Sequence, residues 1–231
     1  MTVQHARSAN IYDLRQASPT LPPAGVRPDD ACDLFQGLGA RMSFDRDEEI
    51  FGEGEPADFV YRVISGAVRT YRVLNDGRRQ IGDFHLAGDL FGLEAGREHM
   101  LSAEAIGRCD ILVCRRSTLF GLAARSPDLG QALWAQTARE LERAQAHLML
   151  LGRKSACERV ATFLGALAGR QPGNREITLH MSRQDIADYL GLTIETVSRT
   201  FTQLQADGVI ALNGCRHVRI VSIGALERLT E

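Results

Sequence analysis

The stretch that most narrowly constrains the fold is residues 181–206, MSRQDIADYLGLTIETVSRTFTQLQA. Its apolar residues recur every three or four positions on both sides of a glycine, which predicts two short helices joined by a tight turn. The first helix is expected over about residues 182–190. Gly191 supplies the turn, and Thr193 caps a second helix that runs to about Ala206.

Three residues favour a helix-turn-helix motif over an arbitrary pair of helices. Ala187 is small at the position where the two helices would cross. Gly191 lies four residues later, where the chain needs a positive φ angle. Val197 lies six residues beyond Gly191, on the side of the second helix that would be buried. The apolar set expected between the helices is Ile186, Leu190, Leu192, Val197, Phe201 and Leu204.

The opposite side of the second helix carries Glu195, Ser198 and Arg199 at positions i, i+3 and i+4, so these side chains share one outward face. An arginine can donate two hydrogen bonds to a guanine, a carboxylate can accept one from an exocyclic amine, and a serine hydroxyl can bond to either base type. We therefore predict that this face reads bases in a DNA major groove. The alternative is an ordinary solvated helix face, on which Glu and Arg at this spacing often occur.

The segment after the second helix predicts a β-hairpin. Residues 208–212 and 215–221 flank Asn213 and Gly214, a pattern typical of a two-stranded wing on a type I′ turn. Such a wing would bring basic side chains close to the phosphates, where contacts position a protein without specifying sequence. The residues that we expect at the DNA backbone are Ser182, Arg183, Thr193, Thr196, Arg216 and His217.

The N-terminal half has a different pattern. Residues 1–27 predict a loose arm, and residues 29–38 predict a short helix that ends at Gly39. From Phe44 to about Arg116, short β-favouring runs alternate with turn sequences such as GEGEP, SG, NDG and AGD. The spacing of these runs predicts a jelly roll or barrel. Such a barrel can enclose a ligand, or it can be filled by its own core.

A long helix is expected next. Ser126 and Pro127 begin it, and Gly152 stops it after Leu151. Apolar or small residues keep a 3.5-residue period over three heptads, which predicts a two-stranded coiled coil between two copies of the chain. The alternative is that this stripe packs on the chain's own strands. The predicted dimer-interface residues are Trp134, Leu141, Ala144, Leu148 and Leu151.

A further helix starts at Ser155, because Glu158 three residues later completes a capping box. The order of these elements divides the chain into a flexible arm at residues 1–27, a sensor-like β-roll at 28–125, a dimerisation helix at 126–152 and a winged helix-turn-helix domain at 153–231. The predicted fold class is therefore α+β.

Charge and composition restrict the partners. The net charge is −2, which is not that of a uniformly basic nucleic-acid-binding protein. Residues 153–231 nevertheless contain ten Lys or Arg and eight Asp or Glu, so we expect a local basic patch there. We expect no signal peptide and no membrane span, and the five scattered cysteines fit a reducing cytoplasm.

The segments MSRQDIADYLGL and FGLEAG (residues 91–96), together with the set E-x-x-S-R in TIETVSRTF, resemble the CRP/FNR family of bacterial transcription regulators, and within it the FixK-type members. The resemblance implies a β-roll of the cyclic-nucleotide-binding type (a double-stranded jelly roll), a long dimerisation helix and a C-terminal winged helix. It also implies that Glu195, Ser198 and Arg199 read a TTGA…TCAA inverted repeat, with Arg199 on the guanine. CRP-type readers instead have an arginine where Ile194 stands here.

The same resemblance implies the partners and the role. A homodimer would bind palindromic double-stranded DNA and recruit RNA polymerase, most often as an activator. FixK-type regulators act in low-oxygen respiration or in nitrogen fixation, so this is the role expected here. We expect no enzymatic activity. A cupin-like enzyme would need clustered metal ligands, and His85 and His99 are isolated in the sequence.

Two departures from the wider family bear on cofactors. The iron–sulfur cluster of FNR takes four thiolates, whereas only Cys32 precedes residue 109 here. CRP holds the phosphate of cAMP with an Arg-Ser pair, and the corresponding stretch here reads Leu101-Ser102. We therefore expect no cofactor. The alternative is an effector-gated regulator whose β-roll binds an unidentified small molecule.

The remaining cysteines indicate no metal site. Cys109 and Cys114 are five residues apart on one predicted strand, so they should point to opposite faces and cannot share a metal ion. Cys215 lies in the predicted wing, where oxidation would add bulk and charge beside the phosphates. It is the candidate redox-sensitive residue.

Overall fold

A computed structural model of the protein describes residues 38–171, 173 and 175–230. The predicted arm at residues 1–27 lies outside the described residues. So does the predicted helix at residues 29–38, apart from Leu38, which lies in a turn. Both stay predictions.

Short strands make up the N-terminal part of the described chain, as predicted. The pattern did not predict two of them, a strand at Ala40–Phe44 and a two-residue strand at Leu90–Phe91. The first carries exposed polar side chains at Arg41 and Ser43, so it lacks the apolar run of an isolated strand. The strands are β1 (Ala40–Phe44), β2 (Glu49–Phe51), β3 (Phe59–Ser65), β4 (Ala67–Val73), β5 (Arg79–Leu86), β6 (Leu90–Phe91), β7 (Ser102–Ala105) and β8 (Cys109–Arg115).

These strands form two four-stranded sheets, ordered β1-β8-β3-β6 and β2-β7-β4-β5. Side chains from both sheets meet in one buried cluster, so the β-roll has a filled apolar interior. Burial of this surface is the main stabilising contribution to such a layered fold. The cluster consists of Phe44, Ile50, Phe51, Phe59, Tyr61, Val63, Val68, Phe91, Ala103, Ala105, Cys109, Ile111 and Val113.

The first sheet is also apolar on its other face, which two helices cover. These are α1 (Arg116–Ala123) and the start of α2 (Pro127–Arg153). Cys114 belongs to this second cluster with Leu129 and Leu133, whereas Cys109 belongs to the cluster between the sheets. The prediction that the two thiols point to opposite faces of one strand is therefore confirmed.

Helix α2 begins at Pro127, as predicted, but it ends at Arg153 and not at Leu151. The predicted stop at Gly152 is therefore wrong. One glycine inside a helix costs only about 1 kcal/mol relative to alanine, so it does not by itself end a helix. The actual end is stabilised by Arg159, whose guanidinium donates to the carbonyl of Leu151 at 3.1 Å and whose Nε donates to the carbonyl of Lys154 at 2.9 Å.

The C-terminal elements follow the predicted order. Ser155 and Glu158 form the expected capping box at the start of α3, and Ser182 and Thr193 cap α4 and α5. The short helix α6 was not predicted. The elements are α3 (Ala156–Gly169), β9 (Glu176–Thr178), α4 (Arg183–Leu190), α5 (Ile194–Ala206), β10 (Ile210–Asn213), β11 (His217–Ile220) and α6 (Ile223–Arg228).

The wing differs from its prediction in two ways. It has three strands in the order β10-β11-β9, because Val218 on β11 also pairs with Ile177 on β9. Its turn is not type I′: Asn213 pairs directly with His217, which leaves a three-residue loop with a positive φ angle of 70° at Gly214. A type I′ turn needs positive φ at two positions, whereas three-residue loops need it at one.

Backbone contacts divide the chain into two compact units. Of the described residues, the first unit contains those up to Arg69 together with Phe84–Arg139, and the second contains Thr70–Asp83 together with those from Glu140 onward. The outer part of the β4–β5 hairpin therefore groups with the helix-turn-helix. In the part of the chain that the structure describes, no helix is long and apolar enough to cross a bilayer.

A matched pair of phenylalanines tests the filled interior of the β-roll. Phe91 is 1% exposed and stacks on Tyr61, whereas Phe120 is 45% exposed. We expect Phe91→Ala to lower the free energy of unfolding by about 3–5 kcal/mol through lost burial and a residual cavity. Phe120→Ala should cost less than about 1 kcal/mol. Urea unfolding followed by circular dichroism measures both, and equal losses would contradict the packing described above.

Candidate nucleic-acid interface

The helix-turn-helix begins with a reciprocal cap. The hydroxyl of Ser182 accepts a hydrogen bond from the amide of Asp185 at 3.1 Å, and Oδ2 of Asp185 accepts from the amide of Ser182 at 2.9 Å. Both are N-terminal backbone donors that the helix cannot satisfy internally. The cap holds the start of α4 in one backbone conformation, which places Ser182 at its exposed tip.

The turn has the geometry that its sequence predicts. Gly191 adopts a left-handed conformation with φ of 62°, and its amide donates to the carbonyl of Ala187. The amide of Leu192 donates to the same carbonyl at 3.0 Å. Thr193 then starts the next helix, since its hydroxyl accepts from the amide of Thr196 at 3.2 Å. The chain therefore reverses within three residues.

The packing between the two helices also follows the pattern. Ile186, Ala187 and Leu190 on α4 are fully buried, and so are Val197 and Leu204 on α5. Leu192 is only partly buried because it lies in the turn. The buried side of α5 thus packs in the core, and this packing fixes the orientation of the helix.

The remaining side of α5 faces outward. Glu195, Ser198 and Arg199 are all exposed, as predicted. Hydrogen bonds from the Glu195 amide and from the side chain of Thr193 lower the pKa of the Glu195 carboxyl, with a smaller contribution from Arg199. Glu195 is therefore ionised at neutral pH and can only accept hydrogen bonds.

Most of the residues predicted at the DNA backbone surround this face. Thr193 caps α5 and Thr196 lies in its first turn, with the two hydroxyls 3.1 Å apart. Arg216 and His217 are exposed in the wing. Nη1 of Arg216 donates to the carbonyl of His180 at 3.3 Å, which joins the wing loop to the segment just before α4.

Arg183 is placed differently from the other predicted phosphate ligands. Its guanidinium lies over the ring of Phe201, 3.4 Å from the centroid. Burial lowers its pKa to about 10, so it stays charged at neutral pH. Among the described residues, nothing hydrogen-bonds its Nη1. A phosphate contact by Arg183 needs a different side-chain conformation and stays a prediction.

Sequence reasoning did not predict the polar residues that bind α4 from other elements. Arg159 donates to the carbonyl of Leu190 at 2.9 Å, at the end of α4. His147 stacks on Tyr189 at 4.0 Å between ring centroids and donates from Nε2 to its carbonyl at 2.8 Å. Arg79 reaches the same helix from β5. An amphipathic pattern marks only apolar positions, so it carried no signal for these polar contacts.

The predicted dimer stripe is exposed in the single chain. Trp134, Leu141 and Leu148 are 74%, 59% and 66% exposed, and Ala144 is exposed as well. The alternative that these residues pack on the chain's own strands is therefore excluded. Leu151 differs, because it is partly buried.

Comparison with known proteins agrees with this geometry. The model of a Crp-like helix-turn-helix domain matches residues 158–229, and the model of a cyclic nucleotide-binding domain matches residues 41–126. The nitrogen fixation regulation protein FixK of Azorhizobium caulinodans is 48% identical over 213 residues, 89% of this chain and 86% of that protein. The transcriptional activatory protein AadR of Rhodopseudomonas palustris is 41% identical, over 77% of this chain and 76% of that protein.

A solved structure gives the same result. The structure of FixK2 from Bradyrhizobium japonicum superposes with a TM-score of 0.80 at 48% identity, and the match covers 84% of this chain and 98% of that one. The chain belongs to the CRP/FNR family. Its relatives place it among the FixK-type transcription regulators, and its helix-turn-helix is a DNA-binding domain.

The cysteines differ in their surroundings, and the difference is testable. Burial raises the pKa of Cys109 to about 12 and that of Cys114 to about 11, whereas Cys215 is exposed. Because the thiolate is the reactive form, we expect iodoacetamide at pH 8 to modify Cys215 long before either buried thiol. A peptide mass-spectrometry time course measures the three rates, with urea-unfolded protein as the control. Equal rates for Cys215 and Cys109 in native buffer would contradict the burial.

Proposed function

We propose that this regulator binds a TTGA…TCAA palindrome as a homodimer, with one α5 helix in each of two major grooves. The exposed face of Glu195, Ser198 and Arg199 carries this proposal, because the opposite side of the same helix is buried and the reading side is therefore fixed outward. Arg199 matches the guanine, and the ionised Glu195 matches an exocyclic amine. Ser198 lies between them on the same face.

The phosphates flanking each half-site are contacted by residues around that face. The hydroxyls of Ser182, Thr193 and Thr196 stand at helix N-termini, where backbone amides and the helix dipole favour an anion. The Ser182 hydroxyl donates to a phosphate once it releases Oδ2 of Asp185. Arg216 and His217 extend from the wing loop on one side. Arg183 joins them once its guanidinium leaves Phe201.

The dimer forms along α2. Trp134, Leu141, Ala144 and Leu148 expose an apolar stripe with a seven-residue repeat, which a second copy of the same helix would bury. Leu151 completes the repeat at its C-terminal end. Two subunits related by a two-fold axis match the two-fold symmetry of the palindrome.

The bound dimer recruits RNA polymerase and acts mainly as an activator of low-oxygen or nitrogen-fixation genes. Relatives that carry the names FixK and AadR support this role. The protein works in the cytoplasm, has no enzymatic activity and needs no small-molecule effector. Support for effector independence comes from the β-roll interior, which Phe51, Tyr61 and Phe91 fill, and from Leu101 in place of a phosphate-binding arginine.

Oxidation of Cys215 weakens DNA binding in this proposal. The thiol is exposed in the loop that also presents Arg216 and His217. A peroxide would oxidise the thiol by two electrons to a sulfenic acid and would itself be reduced to water or an alcohol. The sulfenate form carries a negative charge next to the phosphates, and the two charges would repel each other.

Base reading by Arg199 is tested by substitution. We expect Arg199→Ala to lower affinity for the palindrome about ten- to a hundredfold and to remove discrimination at the guanine, since a bidentate contact is worth about 1–3 kcal/mol. The measurement is a fluorescence-anisotropy titration of reduced, ligand-free protein on the palindrome and on duplexes changed at that base pair.

Arg216→Ala is the matched control, because it also removes one arginine from the same surface. It should weaken binding to every duplex equally and reduce the salt dependence of log K by about one unit, as expected for one lost phosphate contact. If Arg199→Ala behaved in this uniform way, Arg199 would be a phosphate ligand and the proposed docking would be wrong.

A substitution that introduces a charge tests the proposed dimer interface on α2. Leu141→Glu would place a carboxylate in the seam, so we expect sedimentation equilibrium to show monomers where the parent protein is a dimer, with loss of palindrome binding. Ala146→Glu adds the same charge at an exposed position of the same helix outside the repeat and should leave the dimer intact. A dimeric Leu141→Glu protein would refute the proposed interface.

A further inference from the structure

Arg79 joins two parts of the second compact unit that are 106 residues apart in the chain. Its Nη2 donates to Oδ1 of Asp185 at 2.6 Å, and its Nε donates to Oδ2 of Asp188 at 2.8 Å. Both acceptors lie on α4, one turn apart. A guanidinium can make two such bonds in a fixed geometry, so the contact restricts orientation as well as distance.

Asp185 connects Arg79 to Ser182 at the N-terminal tip of α4. Its side chain is 5% exposed, and its two oxygens have separate roles. Oδ1 accepts from Arg79, while Oδ2 accepts from the hydroxyl of Ser182 at 2.7 Å and from the amide of Ser182. Any movement of α4 away from β5 would therefore break the ion pair of a buried carboxylate, which is strongly unfavourable.

Arg79 is itself held on the hairpin. Its guanidinium lies 5.8 Å from the centroid of the Tyr71 ring on β4, so a rigid pair of strands presents it to α4. His147 on α2 binds the opposite end of α4 through Tyr189, and Arg159 binds the carbonyl of Leu190. The first helix of the motif is thus anchored at both ends, and α5 packs on it.

We propose that Arg79 is a positioning residue for DNA recognition, which sets the distance between the two reading helices of the dimer without touching DNA. The restraint links α4 to strands outside the helix-turn-helix. The two-fold axis of the proposed dimer would lie between the two copies of the long helix α2. A reading helix that packs on an α4 anchored at both ends fits one spacing of half-sites, whereas one that packs on an α4 loose at one end tolerates several. This inference rests on the proposed dimeric binding to a palindrome.

Arg79→Gln removes both ion pairs and keeps a polar side chain of similar length. Arg78→Gln is the matched control, because Arg78 is the neighbouring arginine and, within the described ranges, its side chain pairs only with nearby Asp76 and is 78% exposed. Each protein is titrated on the palindrome and on two duplexes in which the half-sites are moved one base pair closer or farther apart. A titration at high DNA concentration gives the fraction of active protein.

We expect Arg79→Gln to bind the preferred palindrome at least about fivefold more weakly and to lose at least about threefold of its discrimination against the altered spacings. Its active fraction should equal that of the parent protein, and Arg78→Gln should match the parent throughout. Asp188→Asn should produce part of the same loss, and combining it with Arg79→Gln should add little, because the two residues act as one contact.

Two results would overturn the inference. One is unchanged spacing discrimination in Arg79→Gln. The other is a fall in active fraction alone, which would mean that Arg79 only stabilises the fold. Failure of the parent protein itself to bind the palindrome would instead reject the proposed function.

A measurement that needs no DNA tests the restraint on α4 itself. Amide hydrogen exchange of residues 183–190 should speed up in Arg79→Gln and not in Arg78→Gln, since the contact restrains α4 directly. Unchanged exchange in Arg79→Gln would reject the inference, whatever the outcome with DNA.

Discussion

The DNA-binding domain depends most on the interactions of one buried carboxylate, that of Asp185. A charged group that is this well buried is tolerated only when hydrogen bonds and an opposite charge compensate it. Here one oxygen caps the first helix of the motif through Ser182, and the other accepts from Arg79. Local helix geometry and long-range attachment are thereby tied to one side chain. The position of the reading helix α5 follows from them, because α5 packs on α4.

The proposed reading face shows how packing would produce specificity. Val197, Phe201 and Leu204 are buried and leave α5 one orientation. In that orientation Glu195 and Arg199 face solvent on the same side of the helix. The β-roll serves the site differently: its interior is filled by aromatic rings, and its β4–β5 hairpin extends into the compact unit that contains the helix-turn-helix. The family model that matches residues 41–126 is that of a cyclic nucleotide-binding domain, and here the outer part of its hairpin supplies Arg79 to α4.

Predictions from sequence succeeded where the governing interactions are local. The capping serine and threonine, the left-handed glycine and the buried face of α5 all depend on residues within one or two turns of one another. Predictions were wrong where distant partners decide. Strand β1 forms because β8 pairs with it, and the wing has a third strand because β9 pairs with β11. Helix α2 continues past Gly152, where Arg159 donates to the carbonyls of Leu151 and Lys154 on either side of it.

The sequence by itself determined the order of the elements, the helix-turn-helix with its outward set of Glu195, Ser198 and Arg199, and membership of a family. Hydrophobic periodicity and helix caps depend on residues that are close together in the sequence, so they can be recognised without a structure. Only the tertiary structure decided that Arg183 lies on Phe201 and that Arg79 binds α4. Those contacts join residues that are far apart in the chain, and the free energy of burying a charge depends on everything that surrounds it in space.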